Sequence, residues 1–120
     1  MQLSDGKLRH MNALSTKDGI IAAAAMDQRG SLQKSIAAAK GVDAQAVTPE
    51  MMAEFKGAVV KVLTPHASAI LLDPEYSLSV LNLRAKNCGL LLAYELSGYD
   101  NTQPGRLPDR GARDGDAQGT

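Results

Sequence analysis

Three short apolar segments, each followed at once by acidic or small polar residues, restrict the fold of this chain more than any other feature. They occupy residues 20–26, 69–72 and 89–94, and a helix-forming stretch separates each one from the next. Strands that alternate with helices in this way predict βαβ units and a parallel sheet. The first segment shows no polar alternation, which is typical of a strand covered on both faces. We therefore expect an α/β fold.

The first segment contains four consecutive alanines, which by periodicity alone would fit a helix equally well. Its short length, the preceding Gly19 and the two similar segments that follow favour a strand. Ahead of it, Leu8, Met11 and Leu14 recur at steps of three and predict a short amphipathic helix over residues 7–14 that closes one end of the domain.

Two further helices lie between the first and second strands. Ser31 is suited to cap a helix over residues 32–40, and Gly41 is suited to end it. Thr48, Pro49 and an acidic first turn predict the start of the next helix. The predicted apolar face of that helix consists of Met52, Phe55, Val59 and Val62. Residues 78–87 predict a last short helix before the third strand.

Composition excludes several classes of protein. The 120 residues include 13 basic and 13 acidic ones, so the net charge is zero, and no basic stripe predicts a nucleic-acid partner. The longest apolar run, residues 20–26, is far shorter than the roughly 20 residues of a membrane helix. The N-terminus lacks a secretory pattern, and a single cysteine rules out an internal disulfide. A cytoplasmic protein without membrane contact is expected.

Four motifs, in the same order and at consistent spacing, closely resemble the tagatose 1,6-bisphosphate aldolase family. They are MDQRGSL at residues 26–32, ILLDPEY at 70–76, LLAYE with GYD between 91 and 100, and GRLPD at 105–109. The sulfofructose-phosphate aldolases share the strand-one Asp-Gln-Arg but are less similar at the later motifs, so they rank second. The resemblance implies the first three β/α units of a (β/α)8 TIM barrel, which typically needs about 250 residues.

The resemblance also implies an activity. Members of this family are class I aldolases that cleave a phosphorylated ketose, a ketohexose bisphosphate, into dihydroxyacetone phosphate and glyceraldehyde 3-phosphate. A lysine amine forms an iminium with the ketone, and carboxylates move the protons. No cofactor and no metal are implied, and His10 and His66 stand isolated in the sequence. The family's Schiff-base lysine on strand six and its acid/base glutamate on strand five would lie beyond residue 120.

Of the family's active-site residues, the resemblance assigns those that follow strand one to this chain. Asp27 matches the family's active-site aspartate, which assists proton transfer around the Schiff base, and Gln28 matches a substrate-contacting position. The structural alternatives for Asp27 are a helix cap or an ion pair with Arg29. Position at the carboxyl end of a barrel strand favours the catalytic role.

The other polar candidates are given structural roles. Asp73, Glu75 and Glu95 also follow strands and are expected mainly to support loops. The lysines of the predicted helices are expected to be solvated; they are Lys34, Lys40, Lys56, Lys61 and Lys86. Cys88, which precedes a buried strand, is expected to behave as an inert small hydrophobe.

Two segments are predicted along the chain. Residues 1–109 form the N-terminal part of an aldolase barrel, and residues 110–120 form a disordered tail without family character, since no apolar residue there is larger than alanine. Such a fragment is expected to be inactive alone and to self-associate through open sheet edges. A non-catalytic interaction module or an unstable remnant is the alternative.

Overall fold

The structure, a computed structural model, describes residues 2–94. The GRLPD motif at residues 105–109 and the predicted tail over residues 110–120 lie outside the described residues. The helices and strands are α1 (Asp5–Leu14), β1 (Ala23–Met26), α2 (Gly30–Lys40), α3 (Pro49–Leu63), β2 (Ala69–Leu72) and β3 (Gly89–Leu92). Three 3₁₀ helices complete them, at Ala44–Ala46, Thr64–His66 and Leu78–Leu83.

The three strands form one parallel sheet in the order β1-β2-β3. Ala23 pairs with Ala69 at one end of the first ladder, and Met26 pairs with Leu72 at the other. Leu72 pairs in turn with Leu92 of β3. Helices connect the strands along the chain, so the predicted α/β class is confirmed, and the arrangement matches the first β/α units of a TIM barrel.

The first strand is shorter than predicted because a turn precedes it. The backbone N–H of Thr16 donates to the Ile20 carbonyl at 2.7 Å, and the Thr16 hydroxyl accepts the Ile20 N–H at 3.2 Å. Gly19 within this turn has a φ of 77°, a conformation that favours glycine. Pairing then begins at Ala23, opposite the first residue of β2. The third strand likewise ends at Leu92, two residues earlier than predicted.

The core lies between the sheet and α3. Met26, Ile70 and Leu72 point to this side and pack with Val60 of α3 and with Val80. The expectation that β1 is covered on both faces is wrong within residues 2–94, where Ala23 and Ala25 are exposed. Alanines expose little apolar area at these positions, so the open face carries a small solvation cost.

Helix α3 begins as predicted but buries a different face. The Thr48 hydroxyl accepts the N–H of Met51 at 3.2 Å, and Pro49 occupies the first turn. The predicted apolar face is wrong at two positions, since Phe55 is 44% and Val62 is 67% exposed. The buried residues of the helix are Met52, Lys56, Gly57 and Val60.

Two other predicted helix boundaries are also corrected. Arg29, not Ser31, is the N-cap residue of α2, and it makes no side-chain cap hydrogen bond. Gly41 ends α2 as predicted, with a φ of 68°. The helix predicted over residues 78–87 is a 3₁₀ helix that ends at Leu83, because the next backbone groups bind elsewhere. The N–H of Ala85, for example, donates to the Thr64 hydroxyl at 2.9 Å.

Helix α1 closes the N-terminal end of the sheet, as predicted. The Ser68 hydroxyl donates to the Leu14 carbonyl at 2.7 Å and accepts the N–H of Ala22 at 2.7 Å, which joins α1 to both β1 and β2. Gly89 at the start of β3 lies directly against α1. A Cβ atom on it would lie 2.6 Å from the Ala13 carbonyl oxygen.

We expect Gly89→Ala to destabilise the fold by about 1–3 kcal/mol, because the added methyl group overlaps backbone atoms that cannot move without displacing α1. Urea unfolding of the chain followed by circular dichroism measures the change. Gly6→Ala is the control, since nothing lies within 4 Å of the added methyl group and alanine favours the helix. Equal midpoints for Gly89→Ala and wild type would contradict the close contact with α1.

Candidate functional site

The carboxyl ends of the three strands lie side by side, because Met26, Leu72 and Leu92 are in register. The residues that follow them therefore belong to one edge of the sheet. Asp27 follows β1 and Asp73 follows β2. In open and closed parallel sheets, ligands bind at this edge.

Asp27 is half-buried at this edge, directly after β1. Within residues 2–94 its carboxylate takes part in no ion pair and no side-chain hydrogen bond. It also does not cap α2, whose N-cap residue is Arg29. Neither structural role considered for Asp27 from the sequence is therefore found in the described part of the chain. As far as residues 2–94 are concerned, its carboxylate is available for a ligand.

Gln28 is the next residue and is exposed. It lies in the short connection between β1 and α2, on the same edge of the sheet as Asp27. A side-chain amide both donates and accepts hydrogen bonds, so it can bind a sugar hydroxyl group or a phosphate oxygen.

Asp73 is fully buried and has three hydrogen-bond donors. Its carboxylate accepts the backbone N–H of Tyr76 at 2.6 Å and the hydroxyl of Ser77 at 2.7 Å, and it forms an ion pair with Lys56. Burial by itself raises the pKa of this carboxyl group. The three donors and the positive charge of Lys56 outweigh burial, so the pKa lies below its ordinary value. Asp73 thus orders the loop after β2, as expected from the sequence.

Lys56 corrects the expectation of a solvated lysine. Its side chain is 0% exposed, and its ammonium donates to the Met26 carbonyl oxygen at 3.0 Å as well as to Asp73. The position could have been found from the helix period, because Lys56 lies four residues from both Met52 and Val60. A lysine on the buried face of a helix needs a partner, and the strand ends supply two.

The Tyr76 phenol, in the loop after β2, is affected by charges from both the β1 and the β2 side of the sheet edge. Burial raises the pKa of the Tyr76 phenol, and its hydrogen bond to Glu75 and the negative charges of Glu75 and Asp73 add to this, whereas the charge of Arg29 opposes it. Arg29 belongs to the β1 side and Tyr76 to the β2 side. The charge of Arg29, which follows β1, therefore influences Tyr76 in the loop after β2.

Cys88 is buried in the core beside β3, as predicted. Burial raises the pKa of its thiol, with a small opposing effect from the charge of Arg84. A raised pKa keeps the thiol protonated and therefore weakly nucleophilic at neutral pH.

Among residues 2–94, no three side chains of His, Cys, Asp or Glu are grouped so that they could hold a metal ion. No helix in the same range is long and apolar enough to cross a membrane. Glu95 and Asp100, which the sequence places after the third strand, lie outside the described residues.

Acid should destabilise the folded chain through Asp73. Its pKa is lower when folded than when unfolded, so its contribution to stability is complete above the unfolded pKa of about 3.9 and is lost as the pH falls through the folded value. We expect Asp73→Asn to flatten the dependence of unfolding free energy on pH below about pH 5. Urea unfolding between pH 6 and pH 3 measures this slope.

The exposed Asp43 provides the control, since Asp43→Asn should leave the slope as in wild type. An Asp73→Asn slope equal to that of wild type would show that the Lys56 pair contributes nothing to acid sensitivity.

Comparison with known proteins gives consistent matches. A family model described as DeoC/LacD family aldolase matches residues 21–117. The chain is 54% identical over 109 residues to tagatose 1,6-diphosphate aldolase 2 of Enterococcus faecalis, which covers 91% of this chain and 32% of that protein. It is 47% identical to the tagatose 1,6-diphosphate aldolase of Listeria monocytogenes serotype 4a and 48% identical to that of Staphylococcus haemolyticus. In both cases the match covers 91% of this chain.

The chain therefore spans about a third of the length of these relatives. The family match continues beyond residue 109, so the boundary predicted there stays a prediction.

Proposed function

Because the chain belongs to the DeoC/LacD family of aldolases, we propose that it forms the first three β/α units of a class I aldolase that cleaves tagatose 1,6-bisphosphate. The products are dihydroxyacetone phosphate and glyceraldehyde 3-phosphate. The observation that carries the proposal is the Asp27 carboxylate, half-buried at the carboxyl end of β1 and without a structural partner within residues 2–94.

The proposed reaction begins at the Schiff-base lysine, which the resemblance places outside this chain. A lysine amine condenses with the substrate ketone, releases water and forms an iminium. The C4 hydroxyl group loses its proton to a base, the C3–C4 bond breaks, and its electron pair passes to the iminium as an enamine. The aldehyde product leaves. Protonation of the enamine at C3 and hydrolysis then release dihydroxyacetone phosphate and restore the amine.

Within this chain, Asp27 is proposed to assist proton transfer around the Schiff base. Gln28 is proposed to bind the substrate through its side-chain amide. No cofactor and no metal are required by this scheme. A doubly phosphorylated sugar does not cross a membrane unaided, so the proposed reaction belongs in the cytoplasm.

The test is a hybrid aldolase, in which residues 2–94 of this chain replace the matching segment of the Enterococcus faecalis tagatose 1,6-diphosphate aldolase 2. We expect the hybrid to cleave tagatose 1,6-bisphosphate and to form a lysine adduct that borohydride traps. Faster cleavage of a sulfofructose phosphate would favour the second-ranked family. A folded hybrid without activity on either substrate would contradict the proposal.

The 120-residue chain alone is proposed to be inactive, since the resemblance places the Schiff-base lysine on strand six. Borohydride trapping with dihydroxyacetone phosphate tests this, and a stoichiometric adduct on any lysine of this chain would contradict it.

The chain alone is also proposed to self-associate. In the described part, β1 and β3 are the two edge strands of the sheet, and the alanine face of β1 is exposed. Gel filtration tests this, and a monodisperse monomer would contradict it.

A further inference from the structure

A buried lysine holds the strand end that carries Asp27. Lys56 reaches from α3 to the end of β1, where its ammonium donates to the Met26 carbonyl oxygen at 3.0 Å. Lys56 is fully buried, so water does not compete for this hydrogen bond. At the corresponding place between β2 and β3, the Leu72 carbonyl accepts the backbone N–H of Ala93 at 2.9 Å. The last carbonyl of β1 thus accepts a hydrogen bond from a side chain, whereas the last carbonyl of β2 accepts one from the backbone that follows β3.

This contact determines the position of Asp27 through the peptide bond. The Met26 carbonyl and the N–H of Asp27 belong to one planar group, which also includes the Cα atom of Asp27. A donor that fixes the carbonyl oxygen therefore limits rotation of the whole group. The Asp27 carboxylate is only two bonds beyond that Cα atom.

Asp73 keeps the Lys56 ammonium in place. The two side chains form an ion pair, and Asp73 is itself held by the Ser77 hydroxyl at 2.7 Å and the Tyr76 N–H at 2.6 Å. The loop after β2 is in this way connected to the end of β1 through two buried side chains. Because the pair is neutral as a unit, it orders the strand end without adding net charge beside Asp27.

Stability alone does not require this pair. A buried ion pair can often be replaced by neutral or apolar side chains of similar volume with no loss of stability. Val60, one turn further along α3, shows that apolar side chains are accommodated against the same sheet. A lysine whose ammonium binds the backbone next to Asp27 therefore calls for a role beyond packing.

We propose that Lys56 is a positioning residue, which with Asp73 fixes the Met26–Asp27 peptide group and so orients the Asp27 carboxylate for proton transfer. The inference rests on the proposed function, in which Asp27 is catalytic. It predicts a loss in kcat that the unfolding free energy does not explain.

The decisive variant is Lys56→Met combined with Asp73→Asn in the hybrid aldolase. It removes both charges together, so neither is left buried without its partner. We expect kcat to fall about tenfold or more, since a displacement of 1 Å can cost about 100-fold, while KM changes less than about twofold. Asp27→Ala in this background should cost much less than in the unmodified hybrid, because residues that act as a unit are not additive. Lys61→Met on the exposed side of the same helix is the control, with kcat unchanged.

A second variant covers the case in which the paired replacement does not fold. Ser77→Ala keeps both charges and removes one donor to Asp73, so kcat should fall about two- to fivefold at constant KM if loosening the pair misplaces Asp27. Ser79→Ala, exposed in the 3₁₀ helix that follows Ser77, should have no effect.

The outcomes separate the two proposals. If Asp27→Ala is costly but the folded paired variant keeps kcat within twofold of the unmodified hybrid, the positioning role is wrong and the proposed function stands. The positioning role is also wrong if the losses of kcat caused by Asp27→Ala and by the paired variant are fully additive. If the paired variant does not fold, an unchanged kcat in Ser77→Ala leads to the same conclusion. If Asp27→Ala itself leaves kcat unchanged, the catalytic role of Asp27 is wrong, and the positioning role of Lys56 is wrong with it.

Discussion

Asp27→Ala is expected to lower the turnover of the hybrid aldolase about 10²–10⁴-fold, the usual contribution of a general acid or base. The half-buried carboxylate follows β1 directly and, within residues 2–94, has no ion-pair or hydrogen-bond partner that its loss would leave unsatisfied. Its removal should therefore change the unfolding free energy by no more than about 0.5 kcal/mol. The measurements are steady-state turnover and thermal unfolding of the same protein.

Asp43→Ala is the matched control for this substitution. Asp43 is exposed and precedes the 3₁₀ helix Ala44–Ala46 without capping it through its side chain. Turnover of this control should equal that of the unmodified hybrid. If Asp27→Ala kept turnover within about twofold, Asp27 would be only a polar end to the strand, and the role given to it by family resemblance would be wrong.

The parts of the fold that the sequence predicted depend on local interactions. β2 has the predicted ends because Pro74 lacks the N–H that a longer ladder would need. Thr48 and Pro49 start α3 as predicted, since both act within one helical turn. Gly41 ends α2 because its left-handed conformation is costly for other residues.

The wrong predictions concern residues whose partners lie far along the chain. The apolar pattern of α3 favoured the face with Phe55 and Val62. The buried face instead carries Val60, which packs with the sheet, and Gly57, which lies against the 3₁₀ helix Leu78–Leu83. A helix with apolar residues on two faces does not reveal which face the sheet will cover. Which face of α3 is covered depends on the close approach of the 3₁₀ helix Leu78–Leu83 to Gly57, where a Cβ atom would lie 3.1 Å from Val80.

The candidate site divides in the same way. The position of Asp27 directly after its strand could be predicted from the apolar segment that precedes it, whereas its catalytic role stays a prediction. The helix period places Lys56 on the same face as Met52 and Val60, but its partners could not be predicted, because the acceptor lies 30 residues earlier and the ion-pair partner 17 residues later. Residue type alone favours a solvated lysine, and only the assembled strand ends supply the compensating partners.

The largest loss of stability is expected from Lys56→Met. This substitution fills much of the same space but leaves the Asp73 carboxylate buried with Ser77 and Tyr76 as its remaining donors. Breaking a buried ion pair by removing one partner costs about 3–5 kcal/mol. In a domain of 60–100 residues, each kcal/mol lowers the melting temperature by roughly 4–8 °C. Urea and thermal unfolding of the chain, followed by circular dichroism, measure both quantities.

Adding Asp73→Asn to Lys56→Met should restore most of that loss. The asparagine side chain is neutral, so no buried charge remains, and its carbonyl oxygen can still accept the Tyr76 N–H. Lys61→Met, on the exposed side of the same helix, should change the unfolding free energy by no more than about 0.5 kcal/mol. If the double variant were as unstable as Lys56→Met, the cost would come from lost packing or from the lost Met26 contact. The unpaired Asp73 charge would then not be the cause, because only that charge is removed by the second substitution.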